Sequence, residues 1–281
     1  MTFNPLAATN VLECRNIITK ENPEVIDLGS QTSSINSSFI SNLINQNPKF
    51  KNLQKKNLEN LKNKINFTTK DYFYSIGFKD YKSIDINGAY GSFQFDLNKD
   101  ISKMYNFNKK YDLVINNGTG EHVFNQYALF LNLHNLTNIN GIMLNILPFI
   151  DWINHGFYNF NPILFADLAA SNNYKILKIS LANRNGAELK LDNSDLSIMF
   201  EQIKPHINDS KFNKMVKIAK DKIGKNILLV VISKKLSDKK FKAPLQGKYL
   251  SDISNFSSDY DYQDKGSANA KNQVSDNNKR K

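Results

Sequence analysis

The chain is short of most residues that would assign it a chemistry outright. Of 281 residues only one, Cys14, is cysteine. A single thiol excludes an internal disulfide framework and any cysteine-rich zinc site. The four histidines are scattered, with no H-x-x-x-H spacing, so no metal is expected. Glycine is sparse too, at 12 residues. The G-x-G-x-x-G fingerprint, the Walker loop and the G-x-S-x-G elbow are all missing, which argues against NAD, ATP and serine hydrolysis. No apolar run approaches the roughly 20 residues that span a bilayer. The opening MTFNPLAATN lacks the basic start and apolar stretch of a secretory signal, so a soluble, cytoplasmic protein is expected.

What is present reads as a globular chain, with 41% hydrophobic and 11% aromatic residues. The formal charge of +11 is unevenly placed. Residues 1–200 carry 19 basic and 17 acidic side chains, and residues 201–281 carry 18 and 9. A basic tail can hold nucleic acid or an anionic surface, but no RNA- or DNA-binding motif accompanies it. A solvated tail is the expectation.

Apolar runs alternate with helical periodicity along the chain. Asn4-Pro5 caps a first helix over Leu6 to Thr19. VIDLGSQT (Val25–Thr32) is a buried strand entering a tight turn. A Lys-rich helical insertion over about 45–70 follows, with Phe50, Leu53, Leu58, Leu61 and Ile65 on one face. KSIDIN (Lys82–Asn87) and GSFQFDLN (Gly91–Asn98) read as the second and third strands. YDLVINN (Tyr111–Asn117) and GIMLNILPF (Gly141–Phe149) read as the fourth and fifth, with a helix between them. A helix from Asn161-Pro162, the strand YKILKISL, another helix and NILLVVIS (Asn226–Ser233) complete the pattern. Strands alternating with helices predict an α/β fold, a doubly wound and mostly parallel seven-stranded sheet. Residues 1–240 form that domain, and 241–281 are polar and expected to be disordered.

Ligands bind such sheets beyond the carboxyl ends of the strands. Those ends are polar one after another: Asp27, Gly29, Ser30 and Gln31; Asp85 and Asn87; Asp96 and Asn98; Asn116 to His122; then Asp151, Asn154 and His155. A single glycine in the first loop suits a cofactor without a pyrophosphate. S-adenosylmethionine meets that condition. Its ribose hydroxyls call for an acceptor, Asp85, and its adenine amine for another, Asp96. The methionyl end would lie by Asp27 and Gly29.

VIDLGSQT, SIDIN, FDLN, YDLVINNGTGEHVFNQ and GIMLNILPF, in this order, resemble a class I S-adenosylmethionine-dependent methyltransferase. The Glu-His of EHV is similar to a segment that many members carry there. The match extends from Val25 to Ser233 and is closer to bacterial methyltransferase-like proteins with a Gly-Thr-Glu-His segment and a loop like NHGFYNFNP. The resemblance implies the Rossmann-like class I methyltransferase fold, with the last strand inserted antiparallel. It also implies cofactor contacts at Asp27, Gly29, Ser30, Asp85, Ile86, Asp96, Leu97 and Asn116. The departure is the first loop, where the superfamily carries further glycines.

A hydroxyl acceptor needs a base. His155, after the fifth strand, is the candidate, with Glu121 and His122 facing cofactor or substrate, and Asn154 and Tyr158 positioning the acceptor. The expected partner is a small molecule with a hydroxyl or amine. A ligand-binding protein of this fold without catalysis is one alternative, and a nucleic-acid methyltransferase or binder is another. The tetrapeptide of amino-methylating nucleic-acid enzymes, N/D-P-P-Y/F, is replaced here by Asn116-Asn117-Gly118-Thr119.

Overall fold

The computed structural model describes residues 2–47, 68–191 and 210–246. Helix α1 (Pro5–Ile17) starts as expected, with Asn4 accepting from the Ala7 N–H and Pro5 in the first turn. Strand β1 (Glu24–Asp27) follows, then α2 (Ser37–Asn45) and α3 (Thr69–Ser75). Helix α3 begins with a reciprocal capping box between Thr68 and Asp71. After β2 (Asp80–Ser83) come α4 (Ile101–Tyr105), β3 (Tyr111–Asn117), α5 (Gln126–Leu136) and β4 (Thr137–Ile150). The last elements are α6 (Pro162–Asn172), β5 (Tyr174–Ala182), β6 (Glu188–Lys190), α7 (Ser210–Ile223) and β7 (Ile227–Lys235).

The seven strands form one sheet in the order β2-β1-β3-β4-β7-β5-β6. Strands β2, β1, β3 and β4 pair in parallel. β7 lies antiparallel between β4 and β5, and β6 antiparallel on the outer side of β5. The expected doubly wound α/β fold, with its last strand inserted antiparallel, is what the chain adopts. Side-chain alternation explains how helices cover both faces. Ile26, Val114, Met143 and Leu229 point to a core shared with α5 and α6. Their neighbours Val25, Leu113, Ile142 and Leu228 point to the opposite core, with α1, α2 and α3.

The predicted third strand, Gly91–Asn98, does not form. Only Phe93 makes a bridge, to Ile84. The Asp96 N–H is taken by the Tyr105 hydroxyl at 2.9 Å and the Asn98 N–H by the Asp96 side chain at 2.9 Å, so side chains satisfy donors that a ladder would use. The alternation of Phe93 and Phe95 serves instead an aromatic cluster with Tyr105 and Phe107. The second strand also ends earlier than predicted, at Ser83. The place of the predicted third strand in the count of seven is taken by β6, a three-residue edge.

Most of the expected insertion over 45–70 lies outside the described residues, as does the chain beyond Gln246. Before that point the chain is packed: Phe241 is buried against His134 and Tyr127, and Lys242 N–H donates to Asn172. Among the described residues, no helix is long and apolar enough to cross a membrane.

Candidate functional site

The chain runs from β1 outward to β2, then returns across β1 to β3. That reversal of winding opens a crevice at the carboxyl edge of β1 and β3. A cavity of about 330 Å³ occupies it. Six of the eight expected cofactor residues line it: Gly29, Ser30, Asp85, Ile86, Asp96 and Leu97. The volume falls within the usual range for small-ligand sites.

Asp27 and Asn116 do not line the cavity; they hold its loops from beneath. Asp27 is fully buried, and burial pushes its carboxyl well above the usual range. It accepts from Gly29 N–H at 3.3 Å and from Gln31 Nε2 at 3.2 Å. Gln31 also donates to the Asn117 carbonyl and accepts from Asn117 Nδ2 at 2.7 Å, locking the first loop to β3. Asn116 accepts from Gly120 N–H at 2.9 Å and donates to Asn145 at 3.0 Å.

The single glycine of the first loop has a steric reason. A Cβ on Gly29 would stand 2.2 Å from Thr119 Oγ1. The β1 and β3 loops therefore touch at a point where no side chain fits. Ser30 reaches sideways, and both its N–H and its hydroxyl donate to Asp85, the hydroxyl at 2.7 Å. Gly118 and Thr119, from the polar end of β3, also line the cavity, as does Val123, which no strand-end pattern marks.

His122 lies on the cavity wall. It belongs to a short 3₁₀ turn, Gly120–His122, placed by the Asn116 bond and by Gln126 Nε2, which donates to the Gly120 carbonyl. Glu121 turns inward, and its side chain is fully buried. Neither of its carboxylate oxygens has a hydrogen-bond partner. Burial raises this carboxyl to about 7, opposed in part by the charge of Arg184.

The loop after β4 folds over this turn. Phe157 N–H donates to the Glu121 carbonyl at 2.8 Å. Gly156 packs so closely that a Cβ there would lie 2.9 Å from Glu121 Cγ. Trp152 anchors the loop through Nε1–H to the Ile227 carbonyl, and its ring lies tilted against that of His155. His155 Nε2 thereby comes within 3.3 Å of Glu121 Oε1, and His122 Nε2 within 3.8 Å. Burial lowers both imidazoles, His155 also through the charges of His122 and Arg184. The three expected catalytic residues are thus brought together, with donor atoms all within 4.8 Å of one another. No H-x-x-x-H spacing foretold a cluster, because the fold assembles it across two loops.

The two expected acceptor residues are placed elsewhere. Asn154 sits exposed at the tip of the loop with φ 55°. Tyr158 donates its hydroxyl to the Phe124 carbonyl at 3.0 Å and lines a separate cavity of about 320 Å³ with Gln126, Asn161 and Pro244.

The sequence matches no protein-family model and no curated protein. Solved structures with a similar chain path include an O-methyltransferase from a trans-AT PKS multienzyme of Brevibacillus brevis, in complex with S-adenosyl-L-homocysteine. It is 14% identical over 83% of this chain and 72% of its own, with a TM-score of 0.43. A SAM-dependent methyltransferase from Archaeoglobus fulgidus is 12% identical over 83% and 95%, with a TM-score of 0.40. A geranyl diphosphate methyltransferase in complex with SAM is 9% identical over 83% and 85%, with a TM-score of 0.37. Such likenesses assign no role to any residue, and the fold stands on this chain's own strand order.

Proposed function

We propose that the chain binds S-adenosylmethionine in the cavity at the β1–β3 edge and methylates a hydroxyl or amine of a small molecule. The observation that carries this reading is the convergence of Gly29, Asp85 and Asp96 on one cavity whose wall includes His122. The donor set fits the cofactor. A carboxylate offers about four acceptor positions, so Asp85 can take ribose hydroxyls while still holding Ser30. Asp96 provides an acceptor for the exocyclic amine of adenine. Ile86 and Leu97 offer apolar surface to the purine. The Gly29 turn on the cavity wall is the part proposed to face the aminoacyl end.

Bound there, the cofactor supplies a methyl group already activated on sulfur. The protein's share is to orient the acceptor and keep water away. His122 lines the cavity, Glu121 and His155 lie next to it, and the three are the groups proposed to receive and activate the acceptor. Asp27, Gln31 and Asn116 are positioning residues, because they fix the loops that carry the contacts.

Isothermal titration with S-adenosylhomocysteine tests the reading. Saturable binding that Asp85→Ala weakens is the expected result. An absence of binding by a protein with an intact thermal transition would overturn it.

A further inference from the structure

Glu121 poses a problem that cofactor binding does not solve. A fully buried carboxylate with neither oxygen hydrogen-bonded is costly unless something neutralises it. Arg184 contributes only its charge, its guanidinium lying over the Trp152 ring, 4.8 Å from the centroid. The groups closest to the carboxylate are two imidazole nitrogens, His155 Nε2 and His122 Nε2. His155 Nε2 is itself buried and unpartnered.

We infer that Glu121, His122 and His155 form a binding site for a divalent transition-metal ion. Two imidazoles and one carboxylate suit the borderline ions iron, cobalt and zinc, rather than calcium or magnesium, which favour oxygen-only sets. The geometry is close to what such an ion needs. Two ligands about 2.1 Å from a common metal stand roughly 3.0–3.5 Å apart, and the Glu121–His155 separation of 3.3 Å already meets this. His122 Nε2, 3.8 Å from Glu121 and half exposed on its 3₁₀ turn, closes the set by a side-chain movement toward His155. An ion there would neutralise Glu121. With three protein ligands it would keep positions open toward the cavity that His122 lines.

This inference rests on the proposed function only for the identity of what fills those open positions, an oxygen of the acceptor. The ion-binding claim stands independently of it.

The chain carries one tryptophan, Trp152, whose ring centroid lies 4.8 Å from that of His155. It is a built-in reporter. Chelator-stripped full-length protein is titrated with Co²⁺ and followed by quenching of Trp152 emission and by visible d–d absorption. One equivalent should saturate both signals. Glu121→Gln, an uncharged variant of the same shape, and His155→Asn should each weaken binding at least tenfold while retaining a cooperative thermal transition. The inference fails if wild-type protein shows no saturable quenching. It also fails if the His122→Ala/His155→Ala double variant, still folded, binds Co²⁺ as tightly as wild type. S-adenosylhomocysteine titration of the same stripped samples separates the two readings. Cofactor binding without Co²⁺ binding overturns only the metal site, and the converse overturns only methyl transfer.

Discussion

The Gly29 Cα and the Thr119 hydroxyl are packed so closely that a methyl group on the former would overlap the latter. This contact fixes the first loop of the site against the loop after β3. Gly29→Ala is therefore expected to destabilise the protein by about 1–3 kcal/mol, the usual cost of overpacking. The clash is with one oxygen, Thr119 Oγ1, so Thr119→Ala should recover much of the loss. A urea double-mutant cycle measures the coupling, and additivity between the two changes would contradict the contact.

Asp85 accepts both donors of Ser30. Asp85→Asn keeps the shape but loses the charge, and should weaken S-adenosylhomocysteine binding by roughly 10-fold or more, the worth of a hydrogen bond to a charged group. Ser30→Ala should have a smaller effect, because the backbone N–H still reaches Asp85. Calorimetry on the two variants ranks them. Equal losses would place the ribose contact elsewhere.

Gly156 has no room for a side chain against Glu121. Gly156→Ala should lift the loop, expose Glu121 and shift Trp152 emission to longer wavelength. S-adenosylhomocysteine affinity should stay within a factor of about two, since the loop lies outside the cofactor cavity. Fluorescence and calorimetry on one preparation decide the point.

His134 predicts a pH dependence away from the site. Its Nε2 faces the Lys239 carbonyl at 2.9 Å, so that nitrogen carries the proton, and Nδ1 accepts from the Tyr174 hydroxyl at 2.6 Å. The neutral ring is the fitted form. Burial and the Lys235 and Lys110 charges lower it from 6.5 to about 4, opposed by the Lys239 carbonyl and Asp238. The unfolded chain then binds a proton that the folded chain refuses between those values. Stability is retained above pH 6.5 and falls as pH drops toward 4, by up to about 3 kcal/mol. Urea midpoints at pH 7.5 and pH 5 measure the fall, which His134→Gln should reduce.

Much of the fold was legible because its signals are local. The apolar runs at Leu113–Ile115 and Ile227–Ile232 could only be interior strands, and Asn-Pro at 4–5 and 161–162 marked two helix starts. Asp85 and Asp96 reach the cavity because each lies just past the edge of β2 or its bridge. The misread third strand shows the limit. Period-two alternation of Phe93 and Phe95 can stack rings as well as fill a sheet, and only the backbone donors tell them apart. Asp27 and Asn116 were expected to touch ligand because polar residues at strand ends look alike in sequence. Burial reveals that they face inward, toward the loops. The meeting of His155 with Glu121 depends on the close fit of Gly156, a tertiary contact with no trace in local spacing.

The position of β7 bears on how the molecule comes into being. It is the last of the described strands in chain order, yet it lies between β4 and β5. Among the described residues it is the sole bridge joining β5 and β6 to the rest of the sheet. On a translating ribosome, β1 to β4 can assemble while β5 and β6, paired with each other, wait without a strand to join them to the rest. The interior edges of β4 and β5 stay open until residue 235 has cleared the exit tunnel. Premature release upstream of Ile227 would leave two unpaired edges, the kind of surface that recruits chaperones or other copies of the chain.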